Sequence, residues 1–198
     1  GYVRHLFDQF SADYDARMIG QLAYAAPQIL ADLADLVMPG RSGLRILDLG
    51  CGTGLAGAVF KPRAARLDGI DLSPAMIEKA QARNIYDALR VGDIEIARGD
   101  KYDLVLAADT LVYLGDLAAL FHAVAAELAE DGYFLFTTEA KAGSGFELGP
   151  KRRWRHSEAY IREVAAAAGL DVAGLVAASP RTEANQPVPG FAVALVLV

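Results

Sequence analysis

Four aspartates and a cluster of glycines are the residues of this sequence whose types and spacing most directly suggest chemistry. Asp48 interrupts an apolar run within LRILDLGCGTGLAG at residues 44–57, and four glycines follow it in the same stretch. Asp71, Asp93 and Asp109 each stand at or just after the end of a further short apolar run. Glycines allow a tight turn and let a ligand lie against the backbone. The pattern therefore indicates a ligand site that combines bare backbone with carboxylates.

Short apolar runs that alternate with helical patterns are the elements that must position these acids. Apolar stretches predict strands at 44–49, 66–71, 89–91, 102–108, 133–138, 170–177 and 191–198. Helical patterns lie between most of them, at 54–60, after Ser73-Pro74, at 117–129 and at 158–168, and two further helical pieces fill 3–37. No helix separates the last two strands, which predicts that they pair antiparallel, whereas residues 140–156 are predicted to be a long loop. Strands that are apolar on both faces favour an α/β sandwich around a mostly parallel sheet.

The acids discriminate between two kinds of ligand. In an open parallel sheet, ligands bind beyond the carboxyl ends of the strands, so the four aspartates are expected to share one rim. Gly52–Gly57 satisfies the G-x-G-x-x-G spacing of dinucleotide sites, with Asp71 downstream, which keeps a nicotinamide-dependent oxidoreductase as an alternative. A pyrophosphate, however, would be repelled by several carboxylates. S-adenosylmethionine, with an ammonium, a sulfonium, a ribose diol and an exocyclic amine, suits them.

Composition narrows the class of protein further. The chain has 198 residues, a formal net charge of −6 and one cysteine, Cys51. A single cysteine excludes an internal disulfide, and the length suffices for a core without a metal. We expect a cytoplasmic protein with no nucleic-acid partner, because the net charge is negative, and no membrane partner, because no apolar run approaches the ~20 residues of a membrane span. The start at Gly1 without methionine leads us to expect a piece of a longer chain.

Several motifs resemble those of one enzyme family in the order that this family shows. ILDLGCGTG at 46–54 resembles the first motif of the class I S-adenosylmethionine-dependent methyltransferases. DLSPAM at 71–76, VGDI at 91–94, YDLVLAAD at 102–109 and DGYF at 131–134 resemble its later motifs. The resemblance covers about residues 40–198. It implies a Rossmann-like three-layer sandwich with a seven-stranded, mostly parallel sheet, an antiparallel last strand and S-adenosyl-L-methionine as cofactor.

The N-terminal residues resemble a subgroup of that family. YVRHLFDQF at 2–10, ADYD at 12–15 and RHSEAY at 155–160 are similar to a bacterial subgroup often fused behind tetratricopeptide repeats. The start is also similar, more loosely, to the lid of the carboxyl methyltransferases of biotin synthesis. The resemblance implies two domains, an N-terminal helical lid at 1–39 and a Rossmann-like methyltransferase domain at 40–198. It also implies upstream tetratricopeptide repeats in the full-length chain.

By this resemblance, the glycine-rich turn lies against the methionine part of the cofactor. The backbone of Gly50, Cys51 and Gly52 approaches it. Asp48 orients the turn or accepts a hydrogen bond from the cofactor's amino group, and the alternative is an acid that only caps the turn. Cys51 has no histidine near it in the sequence, so we interpret its side chain as small filler and not as a nucleophile.

The nucleoside part of the cofactor is expected beside the second and third strands. Asp71 would accept hydrogen bonds from both ribose hydroxyls. Leu72 and Met76 would pack on the adenine or ribose, and for Met76 ordinary helix core is an equal alternative. Asp93 would accept from the adenine amine, with the Ile94 backbone beside it, and the alternative is an exposed loop aspartate.

The reactive end of the cofactor is expected near the fourth strand and the lid. Ala108 and Asp109 would line the floor near the sulfonium, although Asp109 could equally cap the following turn. Tyr14 and Arg17 of the lid would close over the cofactor carboxylate, and the alternative is packing within the lid. No metal ligand is expected.

The acceptor side is the least determined part of the sequence. The basic segment KRRWRH at 151–156 could hold an acidic substrate, and the alternative is a solvated basic turn before a helix. Methyl transfer is an in-line displacement, so alignment and water exclusion dominate. A carboxylate or amine acceptor needs no base, whereas for a hydroxyl or amide His156 or Tyr113 would be the candidate bases. Three functions remain: a methyltransferase acting on a small or carrier-bound acidic molecule, a cofactor-binding module without transfer, and an NAD-dependent oxidoreductase.

Overall fold

The structure is a computed structural model that describes residues 24–198. Much of the predicted lid, including Tyr14 and Arg17, lies outside the described residues. The helices are α1 (Ala26–Val37), α2 (Leu55–Phe60), α3 (Pro74–Ala82), α4 (Ala118–Glu127) and α5 (Glu158–Ala167). The strands are β1 (Leu44–Leu49), β2 (Ala64–Asp71), β3 (Ala88–Val91), β4 (Tyr102–Ala107), β5 (Leu128–Ala140), β6 (Phe146–Leu148), β7 (Trp154–His156), β8 (Leu170–Ala178), β9 (Thr182–Glu183), β10 (Gln186–Pro187) and β11 (Gly190–Leu197).

Seven strands of the central sheet lie side by side in the order β3-β2-β1-β4-β5-β11-β8. The pairs among β3, β2, β1, β4 and β5 are parallel, and β11 is antiparallel to both β5 and β8. The carboxyl ends of β1, β2, β4, β5 and β8 therefore point to one rim. The predicted Rossmann-like fold, with an antiparallel last strand, is confirmed.

Two hydrophobic clusters cover the two faces of this sheet, which makes three layers. One cluster joins α4 and α5 to the sheet and contains Phe121, Phe134 and Phe136, whose ring centroids lie 4.8–5.8 Å apart. The other joins α1 and α2 to β1 and β4, with Leu30 and Phe60 completely buried. The described part of the predicted lid thus packs on the sheet, and a domain boundary at residue 39 stays a prediction.

Helix starts follow the predicted capping signals. Ser73 Oγ accepts a hydrogen bond from the Met76 N–H at 3.2 Å, and Pro74 occupies the first turn of α3. Ser157 caps α5 in the same way, since its Oγ accepts from the Tyr160 N–H at 3.1 Å. These caps fix where each helix leaves the rim of the sheet.

The prediction of a long loop at 140–156 is wrong, because this segment contains β6 and β7. β5 continues past the end of β4, which pairs with β5 only as far as Phe136. This leaves an open edge, and β7 fills it by pairing Arg155 with Glu139 and His156 with Ala140. β6 pairs antiparallel with β7, so the sheet has nine strands and not seven.

Candidate functional site

The four aspartates converge on one pocket at the carboxyl rim of the sheet, as the sequence predicts. Asp48, Asp71, Asp93 and Asp109 all line it. The predicted residues that share this lining are Gly50, Cys51, Gly52, Leu72, Ile94, Ala108 and Tyr113. One concave site thus combines bare backbone, carboxylates and apolar side chains.

Asp71 ties the glycine-rich turn to the end of β2. Its Oδ2 accepts a hydrogen bond from the Gly52 N–H at 2.9 Å, and its Oδ1 accepts from the Ser73 N–H at 2.9 Å. The Cys51 N–H also donates across the rim, to the Ile70 carbonyl oxygen at 3.0 Å. The turn is therefore held in one conformation by the neighbouring strand.

Gly50 and Gly52 both have left-handed backbone conformations, with φ of 61° and 54°. A Cβ on Gly50 would lie 2.5 Å from Thr110 Cγ2, whereas a Cβ on Gly52 would meet nothing within 4 Å. The first position therefore needs glycine for conformation and for space, and the second needs it only for conformation.

Gly50→Ala is consequently expected to cost more stability than Gly52→Ala. The left-handed conformation alone costs about 1–2 kcal/mol, and forced overpacking adds about 1–3 kcal/mol at Gly50. Urea unfolding of both variants beside the wild type measures the difference. Equal losses would contradict the proposed crowding against Thr110.

Asp48 is buried at the end of β1 and held by Tyr86. It is 1% exposed, and its Oδ2 accepts a hydrogen bond from the Tyr86 hydroxyl at 2.7 Å. Burial raises the pKa of Asp48 to about 7, with nearby Asp71 adding to the rise, while the bonds from Tyr86 and the Gly57 backbone oppose it. This carboxyl can therefore carry or release a proton near neutral pH.

Gly57 makes room for Tyr86. A Cβ there would lie 2.2 Å from the Tyr86 hydroxyl oxygen and 3.2 Å from Asp48 Oδ2. The packing of Tyr86 thus explains why residue 57, the last glycine of the G-x-G-x-x-G spacing, is a glycine. No bound pyrophosphate is needed to account for it. Cys51 lies nearby, buried, and burial followed by the charges of Asp48 and Asp71 raises the pKa of its thiol. This environment agrees with its interpretation as filler.

A buried charge network reaches the pocket through two of its lining residues, Asp109 and Tyr113. Arg153 Nη2 donates to Asp109 Oδ1 at 2.5 Å, and its Nε donates to Glu139 Oε2. Its Nη1 donates to the Tyr113 hydroxyl at 3.2 Å. Asp109 has a φ of 51°, and its N–H donates to Thr137 Oγ1 at 2.9 Å. The ends of β4, β5 and β7 are therefore joined through one guanidinium.

His156 and Met76 are buried and lie outside the pocket lining. His156 is 0% exposed and outside the pocket lining, and its Nε2 donates to the Gly115 carbonyl oxygen at 2.9 Å. Burial lowers the pKa of its imidazole. This residue pairs with β5 through β7, and its enclosed position does not favour the predicted role as a base, which stays a prediction. Met76 is also fully buried outside the lining, which fits its alternative interpretation as helix core.

Several lining residues escaped the sequence prediction. Tyr24 donates from its hydroxyl to the Ala108 carbonyl oxygen at 3.3 Å, and Thr110 donates to the same oxygen at 3.1 Å. In the sequence, only the position of Thr110 directly after Asp109 indicated that it could line the site. No local pattern indicated this for Tyr24. The remaining missed residues are Thr53, Leu55, Ala56, Glu95 and Leu114.

Residues 24–198 lack two kinds of feature. This part of the chain contains no group of three or more His, Cys, Asp or Glu side chains placed to hold a metal ion. None of its helices has the length and apolar character needed to cross a membrane.

Comparisons with known proteins give a family and several relatives. A family model described as "Methyltransferase domain" matches residues 16–173. Malonyl-[acyl-carrier protein] O-methyltransferase of Acetivibrio thermocellus is 33% identical over 137 residues, which are 67% of this chain and 47% of that protein. Methyltransferase-like protein 27 of Homo sapiens is 41% identical over 88 residues, 43% of this chain and 35% of that protein. The chain thus spans about a third to a half of the length of these relatives.

Similar solved structures agree with the observed topology. Magnesium protoporphyrin IX methyltransferase from Synechocystis PCC 6803, with bound SAM, has a TM-score of 0.77 at 21% identity, covering 100% of this chain and 96% of that one. A 1,6-didemethyltoxoflavin-N1-methyltransferase from Burkholderia thailandensis has a TM-score of 0.76 at 18% identity, covering 100% and 89%. At such identities the likeness shows the fold.

Proposed function

The chain belongs to the family of methyltransferase domains, and from this premise we propose that it transfers the methyl group of S-adenosyl-L-methionine to an oxygen of a small or carrier-bound acidic acceptor. The convergence of Asp48, Asp71 and Asp93 on one glycine-lined pocket is the observation that carries this proposal. Fold alone does not fix function, so the argument depends on the chemistry of this site.

The donor set of the pocket fits this cofactor. Carboxylates accept hydrogen bonds and attract positive charge, and the cofactor offers an ammonium, a sulfonium, a ribose diol and an exocyclic amine. We assign Asp48 to the ammonium, Asp71 to the ribose hydroxyls, and Asp93 with the Ile94 backbone to the adenine. Leu72 is 40% exposed at the rim, where an apolar side chain can cover a nucleoside.

The glycine-rich turn is assigned to the methionine part of the cofactor. Gly50, Cys51 and Gly52 present backbone to the pocket, and Asp71 holds this backbone through the Gly52 N–H. Ala108 and Asp109 form the floor opposite. Tyr14 and Arg17, outside the described residues, stay predicted lid contacts.

When bound, S-adenosylmethionine supplies a methyl group on a positively charged sulfur, so the protein mainly has to align the acceptor and exclude water. Burial raises the pKa of the Tyr113 phenol, with Asp109 adding to the rise, so Tyr113 stays protonated at neutral pH. It can donate a hydrogen bond but is a poor base, and His156 is enclosed. An acceptor that is already ionised, such as a carboxylate, needs neither.

The printed activities of two relatives support oxygen as the acceptor atom. They are the malonyl-[acyl-carrier protein] O-methyltransferase already described and a ubiquinone biosynthesis O-methyltransferase of Methylobacterium sp., which is 27% identical over 165 residues, 75% of this chain and 66% of that protein. An NAD-dependent oxidoreductase has less support, because Gly57 accommodates Tyr86 and carboxylates occupy the place of a pyrophosphate.

Thermal unfolding with separate ligands tests the cofactor assignment. S-adenosylhomocysteine and S-adenosylmethionine are expected to raise the melting temperature, because a ligand at about 100 times its Kd adds about 2.7 kcal/mol to the folded state. Asp71→Asn is expected to weaken this response, whereas Asp171→Asn, an exposed acid at the start of β8, should keep it. A response to NAD alone would reject the proposal.

Transfer itself is tested by incubating the protein with methyl-labelled cofactor and a metabolite extract. A labelled product that Asp71→Asn does not form supports an enzyme. Cofactor binding without any labelled product would favour the alternative of a binding module.

Two finer proposals concern the setting of the chain. We propose that it is cytoplasmic, in keeping with its single cysteine. We also propose that tetratricopeptide repeats precede it, on the resemblance of residues 2–10, 12–15 and 155–160 to that subgroup. Cell fractionation tests the first, and the sequence upstream of Gly1 tests the second.

A further inference from the structure

The sequence suggested the basic segment 151–156 as a binding site for an acidic substrate. Two of its cations already form ion pairs with carboxylates of the protein. Arg153 is 5% exposed and bonds Asp109 and Glu139. Lys151 pairs with Glu183. An anionic acceptor would have to compete with these carboxylates for the same cations. The expectation that the segment 151–156 supplies the anion site is therefore weakened.

Arg181 is a second buried arginine, and unlike Arg153 it has a guanidinium nitrogen without a hydrogen-bond partner among residues 24–198. Its residue is 6% exposed, and its Nε is buried without a hydrogen-bond partner. Within residues 24–198, no carboxylate forms an ion pair with it. Lys151, and more weakly Arg181, lower the pKa of Glu183, so this carboxylate lies within electrostatic range of Arg181 but is paired with Lys151. The Nε of Arg181 is therefore a buried donor without an acceptor among residues 24–198, and such a donor is costly.

The sheet register places Arg181 at the rim that carries the pocket. β8 runs parallel to β5, because both are antiparallel to β11, and Arg181 follows the end of β8. Ala178 at that end pairs with Gly190, which pairs with Glu139 on its other side. Glu139 is the partner of Arg153, so Arg181 follows a strand end on the same rim as the Arg153 network, although its side chain is not part of the pocket lining.

The electrostatics of a lining residue agree with this position. Arg181 is one of the positive charges that partly oppose the burial-driven rise in the pKa of Tyr113. Tyr113 lines the pocket together with Asp109 and Leu114. The charge of Arg181 therefore acts on a residue that lines the pocket.

We propose that Arg181 binds a carboxylate of the methyl acceptor, an inference that rests on the proposed function and names the group it recognises. A guanidinium forms two parallel hydrogen bonds with a carboxylate, which orients the acceptor as well as holding it. This contact would supply the acceptor that Nε lacks among residues 24–198. Neutral analogues of the acceptor would lose it.

Isothermal titration of the full chain saturated with S-adenosylhomocysteine tests this subsite. The probes are malonate against malonamide and 3,4-dihydroxybenzoate against 3,4-dihydroxybenzamide, pairs that differ in charge and little in size. For the wild type, at least one acid should bind about 10- to 100-fold more tightly than its amide, as expected for a charged hydrogen-bonded group. Arg181→Gln should bring this ratio close to one.

Matched variants separate recognition from folding. Arg181→Lys keeps the charge without the fork and should keep part of the ratio. Arg162→Gln on exposed α5 should keep all of it. The affinity for the amide and the melting response to S-adenosylhomocysteine report whether Arg181→Gln retains an intact site.

Three outcomes overturn the inference. Arg181→Gln could keep the acid-to-amide ratio, or each wild-type pair could bind equally, or neither acid could bind the saturated wild type. Each of these would leave the cofactor assignment standing. Failure of the wild type to bind S-adenosylhomocysteine would instead reject the proposed function, and this inference with it.

Discussion

An Arg153→Met variant is expected to lose about 4 kcal/mol of unfolding free energy, because removing one partner of a buried ion pair leaves uncompensated charge. Here the loss affects two carboxylates, Asp109 and Glu139, which are 6% and 4% exposed. Methionine fills a similar volume, so the cost arises mainly from charge. Urea unfolding at neutral pH measures it.

The Arg153 prediction has a charge-specific signature. The triple variant Arg153→Met, Asp109→Asn, Glu139→Gln should recover part of the stability at neutral pH. Arg162→Met, which breaks an exposed pair on α5, should cost less than about 1 kcal/mol. A triple variant that recovers no stability would point to lost packing.

Asp48→Asn is expected to stabilise the protein without cofactor at pH 8 by up to about 4 kcal/mol, since one unit of pKa is about 1.36 kcal/mol. Folding raises the pKa of Asp48 from 3.8 to about 7. Below pH 3.8 the Asp48 carboxyl is protonated in both the folded and the unfolded state, so it does not lower the free energy of unfolding. As the pH rises towards about 7, only the unfolded state ionises freely, so wild-type stability is progressively lost.

The Asp48 prediction is measured as the difference in unfolding free energy between wild type and variant across pH. The difference should open from about pH 4 to pH 7 and stay constant above. Asp171→Asn at an exposed position should follow the wild type. Affinity for S-adenosylhomocysteine should fall in Asp48→Asn, so stability and binding would change in opposite directions. A wild type that is as stable as Asp48→Asn at pH 8 would contradict the argument.

The cofactor side of the site was largely predictable from the sequence. β1 and β4 read as apolar runs because both of their faces are covered by helices, and their ends mark where ligands gather. Asp48 and Asp109 could therefore be placed before any contact was known. Ser73 followed by Pro74 is a local signal that needs no tertiary information.

The acceptor side was not predictable for an equally physical reason. β6 and β7 have three residues each, and they form only because β5 leaves an edge open. Pairing on that edge turned His156 inward, although its basic neighbours suggested exposure. Arg181 belongs to no motif, and the role proposed for it depends on a buried Nε that has no partner among residues 24–198, which only the assembled chain reveals.

The proposed cofactor side and the proposed acceptor side of the site are carried by different kinds of backbone segment. This difference has a consequence for how such a protein can change in evolution. The proposed cofactor side consists of turns that directly follow the central strands β1, β2 and β4. Sequence changes in these turns therefore disturb the sheet itself. The proposed acceptor side lies on the segments 141–156, after β5, and 179–189, between β8 and β11. Exchange of these segments between homologues would redirect the choice of substrate while the proposed cofactor side stays intact. Lineages that diverge in acceptor should accordingly differ most in these two segments.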